Sequence, residues 1–252
     1  MTIDLNCDLG EGGPHDAVLM QFVSSANIAC GGHAGDEETM AAAVDLARRH
    51  GVAIGAHPGY LDPVHFGRRE VALSSEETAE LVLRQVALLA RITGPSLHHV
   101  KLHGALYASV SRDVERAGAV VAALADRWPR LVVYALAGSG FASLARNAGL
   151  AVAAEAFLDR GYAGDGSLLP RSAPGAVTCD PRVAAARALR FVQAGLVTSA
   201  AGADLAIRAD TLCIHGDGAD PVSIASAVRN ALDKAGVIVR APAARGERTD
   251  AN

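Results

Sequence analysis

The chain has 252 residues, half of them hydrophobic and a fifth charged, and its formal net charge is −4. This length and apolar content predict one large domain with a substantial core. The small acidic excess and the lack of a basic run argue against nucleic-acid or membrane partners. No apolar run reaches the roughly 18–20 residues that span a bilayer, and the first residues lack the pattern of a signal peptide.

The first predicted elements are short β-rich runs that alternate with long alanine-rich stretches, a pattern typical of a parallel sheet with crossover helices. The predicted strands are residues 2–7, 26–31, 52–57, 98–103, 131–137, 151–157 and 211–215. Seven strand–helix units in about 240 residues favour a closed (β/α) barrel, with an open doubly wound sheet as the alternative.

The remaining stretches are assigned from composition. Residues 197–210 follow neither the strand nor the helix period and predict an extra hairpin or a loop. Residues 1–240 are expected to form the barrel as a single catalytic domain. The small and polar residues 241–252 are expected to form a disordered tail.

Capping signals separate the units. Ser74 and Glu77 have the spacing of a capping box. Aspartate before proline at 180–181 and at 220–221 predicts two further helix starts, and Gly195 predicts a helix end.

The cysteines indicate a reducing environment. They form no Cys-x-x-Cys pair, and three of the four lie in strand-like runs, where a free cysteine packs as a small hydrophobic residue. Cys30 is interpreted as a core residue rather than a nucleophile, because nothing near it in sequence would activate its thiol. This usage predicts a cytoplasmic protein.

Polar residues cluster where the predicted strands give way to loops. In chain order these ends read NCDLGEG, CGGHAGD, GAHPGY, VKLHG, EAFLDRGY and CIHGDG. The carboxyl ends of the strands build the active site of an α/β barrel, so these segments predict one shared site. Four of the strand ends carry a histidine, which favours a common role over four incidental residues: His33, His57, His103 and His215.

Charged residues within the predicted strands point to the same site. Lys101 and His103 are two residues apart in the fourth strand, so their side chains should face the same side. A lysine or a glutamate in a buried strand is costly unless it is paired or used, and this applies to Lys101 and to Glu155. Asp8 and Glu11 follow the first strand, where helix capping is the competing interpretation.

Several histidines and carboxylates in one barrel mouth support two chemistries. They can bind a divalent metal that activates water, or they can perform metal-free acid–base catalysis at a carbonyl. No His-Glu-x-x-His motif decides between the two, so the residues predict a hydrolase-like site and leave the metal open. Loop arginines add a preference for a carboxylate or a phosphate.

Long ordered blocks make the assignment more specific. They are DLNCDLGEG, SANIACGGHAGD, VAIGAHPGY, FGRR, VKLHGALY, FLDRGYAGDGSLLPRS and HGDG. In order and spacing they resemble the LamB/YcsF family, the A subunits of bacterial ATP-hydrolysing 5-oxoprolinases. Two positions depart from the family pattern: Leu102 stands where proline is typical, and Gly32 replaces a common phenylalanine. Both flank candidate histidines and are expected to adjust the shape of the pocket.

The resemblance implies a seven-stranded barrel related to those of glycosidases and polysaccharide deacetylases. It also implies ATP-dependent opening of the cyclic amide 5-oxo-L-proline to L-glutamate, with release of ADP and phosphate. ATP would be a co-substrate, together with Mg²⁺, and the partners would be 5-oxoprolinase subunits B and C. The sequence has no Walker-type or kinase-type glycine loop, so phosphorylation is expected to need those partners.

Within this interpretation, two groups of residues are assigned to the site. The expected catalytic residues are Asp8, His57, Lys101, His103, Glu155 and His215, and the expected substrate-binding residues are Asn6, Glu11, His33, Arg69, Arg160 and Arg171. Two other functions stay open. One is a metal-dependent deacetylase or amidohydrolase that needs no ATP, and the other is a non-catalytic lactam-binding subunit.

Overall fold

Seven parallel strands close into a barrel in the computed structural model, which describes residues 1–244. The strands of the chain are β1 (Thr2–Leu9), β2 (Ser25–Ala29), β3 (Ala53–His57), β4 (Leu97–Lys101), β5 (Val132–Leu136), β6 (Ala151–Phe157), β7 (Leu196–Thr198), β8 (Asp204–Ala206), β9 (Thr211–His215) and β10 (Ile238–Val239). Strands β1 to β6 and then β9 pair in this order, and β9 pairs with β1 to close the ring. The predicted seven-stranded (β/α) barrel is confirmed, and the open sheet is wrong.

Helices surround the barrel and cover its outer face. They are α1 (Asp16–Leu19), α2 (Glu37–His50), α3 (Ser75–Thr93), α4 (Gly104–Arg112), α5 (Val114–Arg127), α6 (Gly140–Asn147), α7 (Pro181–Ala194) and α8 (Pro221–Lys234), with short 3₁₀ turns at Pro63–His65 and Gly94–Ser96. Outward strand residues such as Leu5, Cys7 and Leu9 belong to one continuous buried apolar cluster that includes the inner faces of these helices. The core therefore lies between the barrel and its helices, and the barrel interior is left to polar side chains.

The predicted helix boundaries are confirmed at their caps. The Ser74 hydroxyl accepts the backbone N–H of Glu77, and the Glu77 carboxylate accepts the backbone N–H of Ser74, which completes the capping box. Asp180 caps α7 ahead of its first-turn proline, and Gly195 ends that helix with a φ of 64°. Only glycine adopts such a φ without strain, so this residue sets where α7 stops.

The fourth strand is shorter than the predicted 98–103. It ends at Lys101, and His103 is instead the residue before α4. The backbone of His103 nevertheless stays extended, with φ −97° and ψ 145°. The alternation of side chains therefore continues through Leu102, and Lys101 and His103 still reach the same end of the barrel.

The segments outside the barrel follow the sequence in part. Strands β7 and β8 form an antiparallel hairpin within the stretch that predicts a hairpin or a loop. Of the expected tail, residues 245–252 lie outside the described residues. The preceding residues do make contacts, because the Pro242 carbonyl lies 2.8 Å from Nε2 of His98. Over residues 1–244, no helix has the length and apolarity needed to cross a membrane.

Candidate active site

The barrel interior is polar because β1 alternates strictly. Asp4, Asn6 and Asp8 point inward at successive levels and are buried, whereas the residues between them face the helices. At the lowest level, the Asp4 carboxylate accepts hydrogen bonds from Ser25 at 2.8 Å and from Thr211 at 2.5 Å. Burial raises the pKa of Asp4 despite these donors. This closed network seals the amino-terminal end of the barrel and leaves the other end for chemistry.

The middle level is a network of amides and one neutral histidine. The Asn27 side chain donates to Asn6 Oδ1 and to Asp8 Oδ1, both at 2.8 Å. The Oδ1 atom of Asn27 lies 2.9 Å from Nε2 of His99, whose ring stacks on Tyr134. Burial lowers the pKa of His99 well below its usual range, so the ring is neutral. His99 therefore supports the site from below and does not take part in it.

Lys101 is the centre of the upper level. Its Nζ atom donates to Asp8 Oδ1 at 2.7 Å and to Asn6 Oδ1 at 3.2 Å, lies 3.1 Å from Glu155 Oε1, and lies 2.9 Å from Cys213 Sγ. The side chain is only 2% exposed. Each ammonium proton thus has an acceptor within the protein. The paired carboxylates explain how a buried strand tolerates a lysine.

The charges of this pair reinforce each other. Burial opposes the charged form of Lys101, but the neighbouring negative charges, chiefly that of Asp8, raise its pKa well above the usual range. Burial also opposes ionisation of Asp8, but His57 and Lys101 lower its pKa well below the usual range. An ammonium and a carboxylate therefore face each other at the base of the barrel mouth.

Beside Asp8 lies a compact group that we call the histidine cluster: Glu11, His33, His57 and His103. Oε1 of Glu11 lies 2.9 Å from His33 Nε2, 3.4 Å from His103 Nδ1 and 3.8 Å from His57 Nε2. The His33 and His103 rings are stacked with centroids 3.6 Å apart. One ligand-type atom from each residue lies within 4.8 Å of those of the other three. Among the described residues, this cluster is a candidate metal site.

The cluster forms because glycines leave room for its rings. A Cβ atom added to Gly59 would lie 2.5 Å from Nδ1 of His33, and one added to Gly67 would lie 2.6 Å from Cβ of His33. Real Cβ contacts are essentially never so short, so both positions require glycine. Burial also shapes the charge of the cluster: it lowers the pKa of His33 to about 3 and, together with the neighbouring histidines, lowers the pKa of His103 well below its usual range.

A histidine–carboxylate pair lies on the opposite side of Asp8. Both oxygens of Asp159 lie 2.9 Å from Nδ1 of His215, and Asp159 also accepts the backbone N–H of His215 at 3.0 Å. Burial opposes the charge of Asp159, but His215 and its hydrogen bonds lower the pKa of this carboxyl. Because an ionised carboxylate only accepts, Nδ1 of His215 carries the proton and Nε2 is available to a ligand.

An open cavity of about 420 Å³ lies above these groups at the carboxyl ends of the strands. Asp8, Lys101, His103 and His215 line its polar side, and Phe157 lines its apolar side. Arginines surround the opening: Arg68, Arg112, Arg160 and Arg171. This volume is within the roughly 300–1,000 Å³ typical of small-molecule sites, and the arginines favour an anionic ligand.

The residues expected from the sequence fall into distinct positions. Those that line the cavity are Asp8, Lys101, His103, Arg160, Arg171 and His215. Glu11, His33 and His57 lie behind His103 in the histidine cluster. Asn6 and Glu155 lie beneath Lys101 and contact each other at 3.1 Å. Neither Asp8 nor Glu11 caps α1, which starts only at Asp16 and has no side-chain cap.

Arg69 is the one expected residue outside this arrangement. Its guanidinium contacts His65 at 3.0 Å and does not line the cavity. The adjacent Arg68 lines the cavity and pairs with Asp217. The two neighbours share a loop and a residue type, so nothing in the sequence distinguished their directions.

The two departures from the family pattern have different surroundings. Leu102 lines the cavity, as expected for a residue that adjusts the shape of the pocket. Gly32 lies against Gln85, whose amide bonds both the N–H and the C=O of Gly59. A Cβ on Gly32 would lie 2.5 Å from the Gly59 carbonyl and 2.6 Å from Gln85, so a larger residue here would need a different partner at position 85.

Sequence reasoning missed two functional candidates. Asp159 orients His215, and Tyr107 lines the cavity. Burial and then the charge of Glu155 raise the pKa of the Tyr107 hydroxyl well above its usual range, so it stays a hydrogen-bond donor. Asp159 was detectable as an acid two residues after the end of β6. Tyr107 was not, because it lies within a helix that gives no functional signal.

A closed (β/α) barrel with a charged cavity at the carboxyl ends of its strands defines a barrel enzyme that acts on a small polar molecule. The chain belongs to the LamB/YcsF family, whose model matches residues 3–247. This match extends beyond residue 240, at which the sequence interpretation ended the resemblance.

Similar proteins agree with this membership. Relatives named as the A subunit of 5-oxoprolinase are 48% identical in Heliobacterium modesticaldum and 49% identical in Thermus thermophilus; the alignments cover 96% of this chain and 98% and 100% of the relatives. The crystal structure of a lactam utilization protein from Thermus thermophilus superposes with a TM-score of 0.89 at 48% identity, over 96% of this chain and all of that chain. A deacetylase structure shares the fold alone, with a TM-score of 0.50 at 13% identity over 94% of this chain and 86% of that one.

Proposed function

We propose that this chain is the A subunit of an ATP-dependent 5-oxoprolinase, which hydrolyses 5-oxo-L-proline to L-glutamate. The observation that carries the proposal is near-complete alignment, at close to half identity, with proteins that bear this name. The cavity supports it independently. Its size suits a small molecule, and its arginines suit the carboxylate of the lactam and a phosphate.

ATP is needed because an unstrained lactam is a poor electrophile. Transfer of the γ-phosphoryl group to the lactam oxygen activates the ring carbon. Water then adds to that carbon, and the C–N bond breaks as the ring nitrogen takes a proton. This leaves an acyl phosphate, which a second water hydrolyses to glutamate and phosphate. The reaction thus consumes one ATP and two waters.

The geometry suggests a role for each group at the base of the cavity. Nε2 of His215 is free to accept a proton from the attacking water, because Asp159 holds its Nδ1–H. Lys101 keeps Asp8 ionised at 2.7 Å, so Asp8 can orient that water. The Tyr107 hydroxyl can donate a hydrogen bond to the developing oxyanion. Lys101 then acts chiefly through Asp8, because its protons already have acceptors.

Phosphorylation is assigned to the partner subunits B and C. Phosphoryl transfer needs donors that cradle the β- and γ-phosphates together with Mg²⁺, and this sequence has no Walker-type or kinase-type loop. The relatives are named as one subunit of an enzyme, which supports a multi-subunit complex. The free cysteines support the cytoplasmic location that the sequence predicts.

The test measures ADP, phosphate and glutamate formed from ATP and 5-oxoproline. We expect equal amounts of ADP and glutamate from the chain together with B and C, and neither product from the chain alone. Omission of the chain should abolish glutamate release. If the complete mixture forms no glutamate, the proposal is wrong. Stoichiometric ADP and glutamate from the isolated chain would instead place the whole reaction in this barrel.

The histidine cluster favours one second candidate, a metal-dependent amidohydrolase or deacetylase that needs no ATP. Amide hydrolysis by the isolated chain without ATP, and its loss on chelation, would support this candidate. A third candidate, a non-catalytic lactam-binding subunit, predicts that His215→Gln raises KM of the assembled enzyme and leaves kcat unchanged. We expect kcat to fall instead.

A further inference from the structure

We propose that Glu11, His33, His57 and His103 together bind one divalent transition-metal ion, of the Zn²⁺ type, through three imidazole nitrogens and one carboxylate oxygen. The inference concerns this chain by itself and does not depend on the proposed function. It rests on where the lone pairs of the cluster point, on the distances between them, and on the groups that hold the rings.

Backbone carbonyls determine which nitrogen of two rings carries the proton. Nδ1 of His57 lies 2.8 Å from the Lys101 carbonyl oxygen, and Nε2 of His103 lies 2.9 Å from the Phe66 carbonyl oxygen. A carbonyl oxygen can only accept a hydrogen bond, so each of these nitrogens is the donor. The other nitrogen of each neutral ring is then a lone pair.

Those two lone pairs face each other. His103 Nδ1 and His57 Nε2 lie 3.0 Å apart, although neither has a proton to share in the neutral rings. Carboxylate oxygens approach the same region: Glu11 Oε1 lies 3.4 Å from His103 Nδ1, and Asp8 Oδ2 lies 3.3 Å from His57 Nε2. Converging acceptors repel one another unless a cation lies between them.

The distances match those of a coordinated ion. A metal about 2.0–2.1 Å from tetrahedrally arranged ligand atoms separates those atoms by about 3.3–3.4 Å. The measured separations range from 2.9 Å for Glu11 and His33, through 3.0 Å for His57 and His103, to 3.8 Å for Glu11 and His57. An ion could therefore bind with only small movements of the side chains.

The surroundings resemble a ligand shell that is already oriented. A metal-binding histidine usually donates its other N–H to a carbonyl or a carboxylate, and the contacts of His57 and His103 follow this rule. Imidazole nitrogens prefer Zn²⁺, Fe²⁺, Co²⁺ or Ni²⁺, whereas Mg²⁺ and Ca²⁺ prefer oxygen ligands. The cluster is thus distinct from any Mg²⁺ that accompanies ATP.

The test uses the purified full chain without ATP or partners. The protein is stripped with a chelator and titrated with ZnCl₂ by calorimetry, and bound metal is counted by mass spectrometry. We expect about one Zn²⁺ per chain, with a dissociation constant below about 1 µM, and a rise in Tm on binding. His33→Gln and Glu11→Gln should each weaken binding by about 100-fold or more.

His50→Gln is the matched control, because His50 is exposed at the end of α2 and far from the cluster in the fold. It should bind Zn²⁺ like the wild type. Circular dichroism of each variant verifies that it is folded. Failure of the wild-type chain to bind one equivalent would overturn the proposal. So would unchanged affinity in both folded cluster variants, which would place the ion elsewhere. Neither result bears on lactam hydrolysis, which is measured separately.

Discussion

Replacement of Lys101 by methionine should destabilise this protein more than most single substitutions. Methionine keeps much of the side-chain volume and removes the charge, which leaves two carboxylates without their cation. The side chains of Asp8 and Glu155 are 5% and 0% exposed, so water cannot replace the lysine. Removal of one partner from a buried ion pair costs about 3–5 kcal/mol.

This free energy is large relative to a typical total stability of about 5–15 kcal/mol. In a domain of this size, about 1 kcal/mol shifts Tm by roughly 2–4 °C, so Lys101→Met should lower Tm by roughly 6–20 °C. The loss should be smaller at acid pH, because a freed carboxylate that takes up a proton is no longer a buried charge.

The assay is thermal and urea unfolding followed by circular dichroism. The matched control is Lys234→Met, because Lys234 is exposed at the end of α8 and should change stability by less than about 0.5 kcal/mol. The double variant Lys101→Met/Glu155→Gln removes one of the stranded charges and should recover at least about 1 kcal/mol. If Lys101→Met costs under about 1 kcal/mol and Glu155→Gln restores nothing, the charge-pair reasoning is wrong.

Three further predictions test other parts of the site. Gly59→Ala should destabilise by about 1–3 kcal/mol because its Cβ would lie 2.5 Å from His33, whereas Gly118→Ala in α5, with nothing within 4 Å, should be neutral or stabilising; equal thermal shifts would contradict this. Asp159→Asn should lower stability, measured by urea unfolding. The folded pKa of Asp159 lies below its ordinary value of 3.8, so its contribution is complete above that pH and disappears as pH falls through the folded pKa. A difference from wild type that persists undiminished at about pH 2 would argue against it. His215→Gln should lower kcat of the assembled enzyme by about 10²–10⁴, and wild-type turnover would exclude proton transfer by this ring.

Local signals in the sequence were enough to define the elements of this fold and the end of the barrel at which chemistry occurs. Hydrophobic alternation and helix caps act over a few residues, and Ser74, Asp180 and Gly195 carry them without help from distant residues. The polar residues that follow each strand must meet at one end of a parallel barrel, whatever the details of packing. His103 illustrates this: it lies beyond the end of the observed strand, yet it still lines the cavity.

Which of those residues face the cavity depends on long-range packing, which the sequence does not display. Glu155 bonds Asn6 beneath Lys101, a contact between residues 149 positions apart, and sequence spacing carries no information about such a pair. Arg68 and Arg69 are adjacent in one loop, but only Arg68 lines the cavity, because loop backbone angles set the direction of each side chain. The same reason applies to the histidine cluster: its members come from separate strand ends, and their lone pairs converge only after the barrel has closed.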